Sequence, residues 1–564
     1  MSHGAPTWLA WPRLKLVCTP GSERSLATIE FTRTCWPSRS VLVISSRQIS
    51  DPKARSNMAN VTRHSAILIA AYVLTSLLNY GFGVGLSWFF NPVQFGILGV
   101  TQSMLLLLAL AAGSGFAWTA AHDIASLGLT TDTRKRLRTA FLANGVLGLI
   151  LGLGLWLAYA IGLLPLGDAY RWVIPLAALT ITLLSLRAVL NGVARGLYHF
   201  GSVALNLVLE VVVKVLIGLA LVAFGGDVVM VMLAFAGGAL IALVHSLWMV
   251  RHTHIFEGSG WIDMRVISST LPLFVGMIST AIILNLDVIG LKLLSPADQG
   301  DILAGYYQAA VILARTPVFI AQAIALVLFS YVAGNKYPSI PSKTNTAPIS
   351  NPLFSLKDGY VQSIFYTWLR LLLPASLALI LAPKTALSIL FPPTYHGVTG
   401  PLQVSAFGCL LVSLITLLNG VLQAAGNRRN TALAIGAGMM AQVIVLALTV
   451  QGRGVIGASL SLVVAGSVSL VGILPSLRSS IRSFKPALWT GPSRILFECV
   501  PYLALSLPLL VIPDGSRMIN LFKFSLSALL YLAVLYALRV PLANATKKSL
   551  VNYINQFIQV LMGG

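Results

Sequence analysis

Charge is what this chain has least of. Of its 564 residues only 16 are Asp or Glu and 38 are Lys or Arg, so charged residues make up 10%, where a soluble domain carries about 25%. With 57% hydrophobic residues and a mean hydropathy of +0.84, that scarcity excludes a soluble fold and marks a polytopic membrane protein. Cysteine is almost as rare. Cys18, Cys35, Cys409 and Cys499 show no metal-binding or redox spacing, so neither a disulfide nor a metal site is expected. Also missing are a G-x-x-x-x-G-K-[ST] phosphate loop, a His-Glu-x-x-His pair, a Gly-x-Ser-x-Gly elbow and any large extramembrane domain. ATP use, soluble catalysis and a bound cofactor are therefore not expected. Energy must then come from an ion gradient, the membrane potential or the substrate's own gradient. The net charge of +22 would suggest nucleic acid in a soluble chain, but here the basic residues lie in short loops between apolar runs and read as topology signals.

What is present is a series of apolar runs, each near the twenty residues needed to cross about 30 Å of hydrocarbon. About fourteen are expected, near 66–90, 95–121, 139–164, 171–192, 201–224, 228–250, 266–292, 303–332, 360–383, 401–424, 431–450, 455–476, 496–512 and 519–539. The loops between them alternate in charge. One set is rich, with Arg134, Lys135, Arg136 and Arg138 in one loop and Arg478, Arg482, Lys485 and Arg494 in another. The other set holds only Arg171, Lys292, Lys384, Arg453 and Arg517. The positive-inside rule makes the basic set cytoplasmic and puts both termini inside. Residues 1–57 differ from the rest: they have no periodic pattern and only a short apolar run, Val41–Ser45. They are read as a non-membrane extension upstream of a true start at Met58, or alternatively as a disordered cytoplasmic tail.

An internal repeat organises the remainder. Residues 189–222 align without gaps on 417–450, sharing Leu-Asn-Gly-Val at 190–193 and 418–421, and Leu78-Asn79 pairs more weakly with Leu284-Asn285. Both alignments join segments six spans apart, so the repeat is parallel, with a pseudo-twofold along the membrane normal. The expected architecture is all-α: a six-helix lobe over 58–250, a second over 266–476, and two further helices over 496–540.

Ionisable groups within such spans are costly, about 3 kcal/mol at mid-helix on the mildest scale, and mark pathways or partners. Asn206, Glu210 and Lys214 share one stripe of the fifth segment, with the acid N-terminal to the base, the better order for an ion pair. Counting along the helices at 1.5 Å per residue puts Lys214, Arg315 and Arg370 near mid-membrane. Two readings follow: internal ion pairs that hold helices together, or a cationic lining for an anionic head group. The second lobe has Gly438 and Gln442 opposite Glu210 and Lys214, so this charge belongs to the first lobe alone. Arg187 and His245 lie close to the cytoplasmic face and are expected to snorkel. Asp287, with Asn285 beside it, is an ion-coupling candidate, or else a salt-bridge partner of Lys292. Asn79, Asn144, Gln308, Gln322 and Gln442 are expected to bond between helices. His122 with Asp123, and Glu257 with Asp263, are the nearest approach to an enzyme's acidic cluster.

The run from Leu186 to Gly201, the helix carrying Glu210, Asn285-Leu-Asp287, Gly305-Tyr-Tyr307 with Arg315, and the Asn91–Gly99 turn together resemble the polysaccharide-biosynthesis branch of the multidrug/oligosaccharidyl-lipid/polysaccharide exporter superfamily. The resemblance covers about 61–540. It implies a non-enzymatic flippase that moves a polyprenyl-pyrophosphate-linked oligosaccharide across the bacterial inner membrane, for O-antigen or similar surface polysaccharide, by alternating access of two lobes. It implies as partners that lipid-linked oligosaccharide, membrane lipids and a polysaccharide polymerase, and no nucleic acid. One departure is that the first span carries Asn79 where such flippases often place an arginine, which leaves a less charged glycolipid open. A cation-coupled multidrug antiporter of the same superfamily and a membrane-embedded enzyme of envelope synthesis are the alternatives.

Overall fold

The computed structural model describes residues 28–29, 42–43 and 52–537, apart from 165–166, 198, 254, 256–264, 297, 323, 326–367, 425–427 and 481–491. The chain divides into two compact units, Met1–His64 and Ser65–Gly564. In the first, β1 (Thr28–Ile29) pairs antiparallel with β2 (Leu42–Val43), Thr28 opposite Val43. Leu42 and Val43 of β2 belong to the short apolar run Val41–Ser45. The acids of the 256–264 loop, Glu257 and Asp263, lie outside the described residues, as does the side chain of His122.

The second unit is helical. Its elements are α1 (Pro52–Leu86, begun in the first unit), α2 (Pro92–Leu127), α3 (Thr131–Ala160), α4 (Val173–Gly196), α5 (Phe200–Ala223), α6 (Val228–Val250), α7 (Arg265–Leu294), α8 (Gly300–Ala314) and α9 (Thr316–Gln322). After a π-helical turn, Trp368–Leu372, follow α10 (Leu373–Leu381), α11 (Pro383–Leu390), α12 (Thr399–Ala424), α13 (Arg428–Ser480), α14 (Pro492–Val511) and α15 (Arg517–Ala537). Capping residues in the sequence set several starts. The Asn91 side chain accepts from the Gln94 N–H at 2.9 Å while the Gln94 side chain accepts from the Asn91 N–H, a capping box with Pro92 at the first helical position. Asp227 accepts from Val229 and Met230 at the start of α6.

Every expected apolar segment overlaps a helix in its described part. By length and composition, eight helices among the described residues can cross a membrane, or ten if each of two bent pairs is one span. The difference from fourteen has structural causes only in part, since the described apolar stretches of α1 and α14, Ala70–Leu86 and Cys499–Val511, are short. The pairs α8–α9 and Trp368–Leu381 with α11 are bent by 47° and 91°. Two expected spans are merged in α13, 53 residues long with a non-helical break at Gly454 (φ 52°). Straight, it would reach roughly 80 Å. Instead its halves fold back on each other, the Gly438 backbone lying against Ala465 and Ser469. Leu205, Leu216, Phe224, Met440 and Leu448 are exposed, the outward apolar surface of an all-α protein that lives in lipid.

Helices α2–α6 pack mainly among themselves, and α7, α8, α12 and α13 likewise, while α2 packs against α7 and α8. The closest approach between these groups is a crossing of α2 on α8. A Cβ built on Gly96 would lie 1.8 Å from the Asp301 carbonyl oxygen, and one on Gly305 1.8 Å from that of Pro92. The two backbones touch, which only glycine allows. Nearby, the buried Tyr395 hydroxyl donates to the Phe90 carbonyl at 2.9 Å, and Tyr395 packs edge-on against Phe95, Tyr306 and Phe391. Helices α14 and α15 pair with each other and dock on α10 and α11. There Asp514 accepts from Lys523 at 3.0 Å and from Thr385. Partial burial pushes its carboxyl up, but these bonds and the charges of Lys523 and Lys384 outweigh that and hold it below its ordinary range.

Overpacking a tight contact costs about 1–3 kcal/mol. Gly96→Ala and Gly305→Ala are each expected to lower the thermal unfolding midpoint of the purified protein by several degrees. Gly237→Ala, where a Cβ meets nothing within 4 Å, is expected to leave it unchanged or raise it slightly.

Candidate functional site

Helices α4 and α5 run antiparallel about the turn near 197–199, so residues equally distant from that turn face each other. Arg187 faces Glu210 and Asn191 faces Asn206. The Arg187 guanidinium donates Nη1–H to Glu210 Oε2 in a close ion pair and Nε–H to Asn206 Oδ1 at 2.8 Å. Asn191 donates to the same Asn206 oxygen at 3.1 Å. The Asn206 amide in turn donates to the Ala242 carbonyl at 2.7 Å and meets His245 Nδ1 at 3.0 Å, tying the pair to α6. Asn206 is wholly buried and Arg187 nearly so, while Glu210 keeps a fifth of its side chain exposed.

The glycine at 238 lets α6 come this close. A Cβ there would lie 2.8 Å from the Glu210 carbonyl oxygen and 3.2 Å from Lys214 Cβ. Lys214, one turn beyond Glu210, is buried and turns toward α1. Its ammonium donates to Asn79 Oδ1. The Asn79 amide is spent on the Thr75 carbonyl at 2.9 Å, which leaves its oxygen aimed at the lysine. The ring of Phe235 lies 4.5 Å from Lys214 Nζ and that of Phe82 5.9 Å, close enough for cation–π attraction. Among the described residues no carboxylate lies within ion-pair distance of Lys214.

The sequence-based pairing of Glu210 with Lys214 is therefore corrected: Glu210 takes Arg187. A planar guanidinium serves the carboxylate and Asn206 at once from a neighbouring helix, which a residue on the same helix cannot do. Arg187 is corrected too, since it does not snorkel but is buried and fully directed inward. Asn79 bonds between helices as expected.

A second charged cluster lies between α7, α8, α12 and α13. Asp287, wholly buried, accepts from Arg315 Nη2 at 3.1 Å, from the Tyr307 hydroxyl at 2.9 Å and from its neighbour Val288 N–H. Ser405 donates onward to Tyr307 and meets Ser459 at 3.0 Å. Asp287 does not bridge to Lys292, which pairs with Asp301 instead. Asn285 donates to the Ala281 carbonyl rather than reaching Asp287. Arg370 is buried in the π-helical turn, and its carbonyl accepts from Tyr531 of α15. The structure thus joins Asn206 with Glu210 and Asp287 with Arg315, and leaves Lys214 and Arg370 on separate elements.

The halves of the repeat meet this site in matching ways. Gln442, which aligns with Lys214, donates to the Ile283 carbonyl of α7 at 3.0 Å, beside Asn285, just as Lys214 bonds Asn79 of α1. In the same register Arg187, Asn206 and Glu210 align with Ile415, Ala434 and Gly438, none of them charged.

Removing the central amide leaves several buried groups without partners, each worth about 1–3 kcal/mol. Asn206→Leu is expected to lower the unfolding midpoint more than Asn285→Leu, whose amide bonds only within its own helix turn. A thermal melt of the two purified variants checks this.

Residues 61–333 match the profile of the family described as polysaccharide biosynthesis protein. No curated protein matches the sequence. Among solved structures, the fold is similar to one described as the lipid II flippase MurJ in an inward closed conformation, with a TM-score of 0.65 and 13% identity over 83% of this chain and 97% of that one. It is also similar to an inward-facing multidrug resistance MATE family transporter of the MOP superfamily, with a TM-score of 0.51 and 13% identity over 74% of this chain and 98% of that one. A MATE structure in complex with MaD5 gives 0.53 and 13%, over 75% and 95%.

Proposed function

We propose, from the premise that residues 61–333 belong to the polysaccharide biosynthesis protein family, that this membrane protein is a flippase for a polyprenyl-pyrophosphate-linked oligosaccharide. It carries the head group from the cytoplasmic to the outer leaflet of a bacterial inner membrane, both termini inside, and catalyses no covalent change. One observation supports this above the others: Lys214 is a buried cation with an aromatic and amide surround and no carboxylate partner among the described residues. Such a group is costly in hydrocarbon unless an anion comes to it. Pyrophosphate is that anion, the sugars need polar surface, and the lipid tail stays in the bilayer.

The two lobes, 58–250 and 266–476, are the moving bodies. Their tightest crossing, Gly96 on Gly305, and the Tyr395–Phe90 bond lie at the end that loop charge assigns to the outside. In this reading the cavity is closed outward, and rocking of the lobes opens that end. In this reading Asp287 is the ion-coupling group of the second lobe. A proton or cation arriving there releases Arg315 to the head group, and Arg370 forms part of the same basic lining. An antiporter of cationic drugs is expected to need an acidic cavity, whereas Glu210 and Asp287 each face an arginine and Lys214 adds a further cation.

Deleting the gene is expected to leave lipid-linked oligosaccharide accumulating on the cytoplasmic leaflet. The wild-type chain should restore export, and Lys214→Ala, inserted at an equal level, should restore less than a tenth of it. Leaflet accessibility of the glycan to an impermeant lectin reads this out. Normal export without the gene, or full rescue by Lys214→Ala, would contradict the reading.

A further inference from the structure

Arg187 is more than a partner that makes Glu210 tolerable. We propose that Arg187 is a positioning residue that keeps Lys214 available to a phosphate-bearing head group by holding Glu210 away from it. The inference rests on the reading of Lys214 as the phosphate contact and adds the residue that sets the charge of that site.

The argument starts from spacing. Glu210 and Lys214 are four residues apart on α5, acid first, the arrangement in which such a pair forms most readily. Were they to pair, the stripe would be neutral and a phosphate would have to displace a carboxylate to reach the ammonium. In the structure they do not pair, and the reason is visible. Arg187 reaches across from α4, anchored at Nε by the Asn206 oxygen, so that Nη1 is aimed at Glu210. Asn206 is itself fixed by Asn191, Ala242 and His245 on two other helices, so the aim does not depend on a flexible side chain. Lys214, left without the acid, is drawn to Asn79 and the Phe235 ring, both uncharged and weaker holders than a carboxylate. Two cations and one anion thus share the site, and the geometry leaves the surplus charge on the lysine. The second lobe lacks all of this at once, Ile415, Ala434, Gly438 and Gln442 standing in the aligned positions. The four residues come and go as a set, as parts of one device do.

The test is a mutant cycle on the full-length protein in lipid nanodiscs, read by the Kd for farnesyl pyrophosphate, a short polyprenyl pyrophosphate. Arg187→Gln keeps an amide for Asn206 and removes the charge that holds Glu210. It is expected to weaken binding at least tenfold, because Glu210 is then free to take Lys214. Glu210→Gln alone should bind within about threefold of wild type. The double variant Arg187→Gln/Glu210→Gln should also return to within about threefold, since with no acid to restrain the arginine has no task. Arg187→Lys, which can still pair with Glu210, should lie between wild type and Arg187→Gln.

Unaltered binding by Arg187→Gln would overturn the proposal. So would a double variant as weak as the single one while both show wild-type melting, because Arg187 would then touch the ligand itself. Should Arg187→Gln not be recovered folded, the comparison of the double variant with Glu210→Gln decides: equal affinities support the proposal and a tenfold gap overturns it. Failure of the underlying reading looks different, as Lys214→Ala would then bind farnesyl pyrophosphate as wild type does, whatever the Arg187 variants do.

Discussion

A nearly buried arginine on one helix and a largely buried glutamate on the next form the contact on which the proposed chemistry of the first lobe depends. A charge in hydrocarbon has to be matched by a partner, a cavity or a ligand. Arg187 and Glu210 match each other, and the match propagates. It fixes Asn206, which ties α4 and α5 to α6 through Ala242 and His245. In the proposed reading it also decides which cation is left over, so that among the described residues Lys214 is held by an amide oxygen and aromatic faces. Breaking a buried pair by removing one partner is strongly unfavourable, because it strands the other charge. In the proposed reading, the same rule makes Lys214 a site for an incoming anion.

The two lobes solve the problem differently. In the second, the acid Asp287 sits deep and is satisfied three ways, by Arg315, Tyr307 and a backbone N–H. Arg315, the cation nearest that acid, is paired with it. In the proposed reading, charge on the two sides of the cavity is divided into a side that attracts an anion and a side whose acid couples to a proton or cation. The division exists although the halves share helix order and an equivalent contact, Lys214 to α1 in one and Gln442 to α7 in the other.

The helices were legible in the sequence because twenty-residue apolar runs and their Asn, Asp and Pro starts are local signals. Pairing was harder to read. The expectation for Glu210 with Lys214 used spacing along one helix, and such spacing is silent about a competitor on another. Arg187 was misjudged because depth along the axis says nothing of direction around it. A signal was there, since Arg187 and Glu210 stand at equal distances from the 197–199 turn, as do Asn191 and Asn206, and an antiparallel hairpin brings such residues face to face. Asp287 and Tyr307 stand likewise about the turn between α7 and α8. No comparable signal links Asn79 to Lys214, because α1 and α5 are not neighbours in the chain. Part of the difference in span count has a related reason: the bends at α8–α9 and α10–α11 and the fold-back at Gly454 come from packing between helices, which a hydropathy scan does not see.

The central claim is that Lys214, freed of Glu210 by Arg187, is where a phosphate binds. An experimental structure of the protein in lipid with a polyprenyl pyrophosphate bound tests it most directly. The account predicts a phosphate oxygen within hydrogen-bond distance of Lys214 Nζ, with Arg187 still paired to Glu210. A phosphate bound away from Lys214, or Lys214 paired to Glu210 in the bound state, would contradict it.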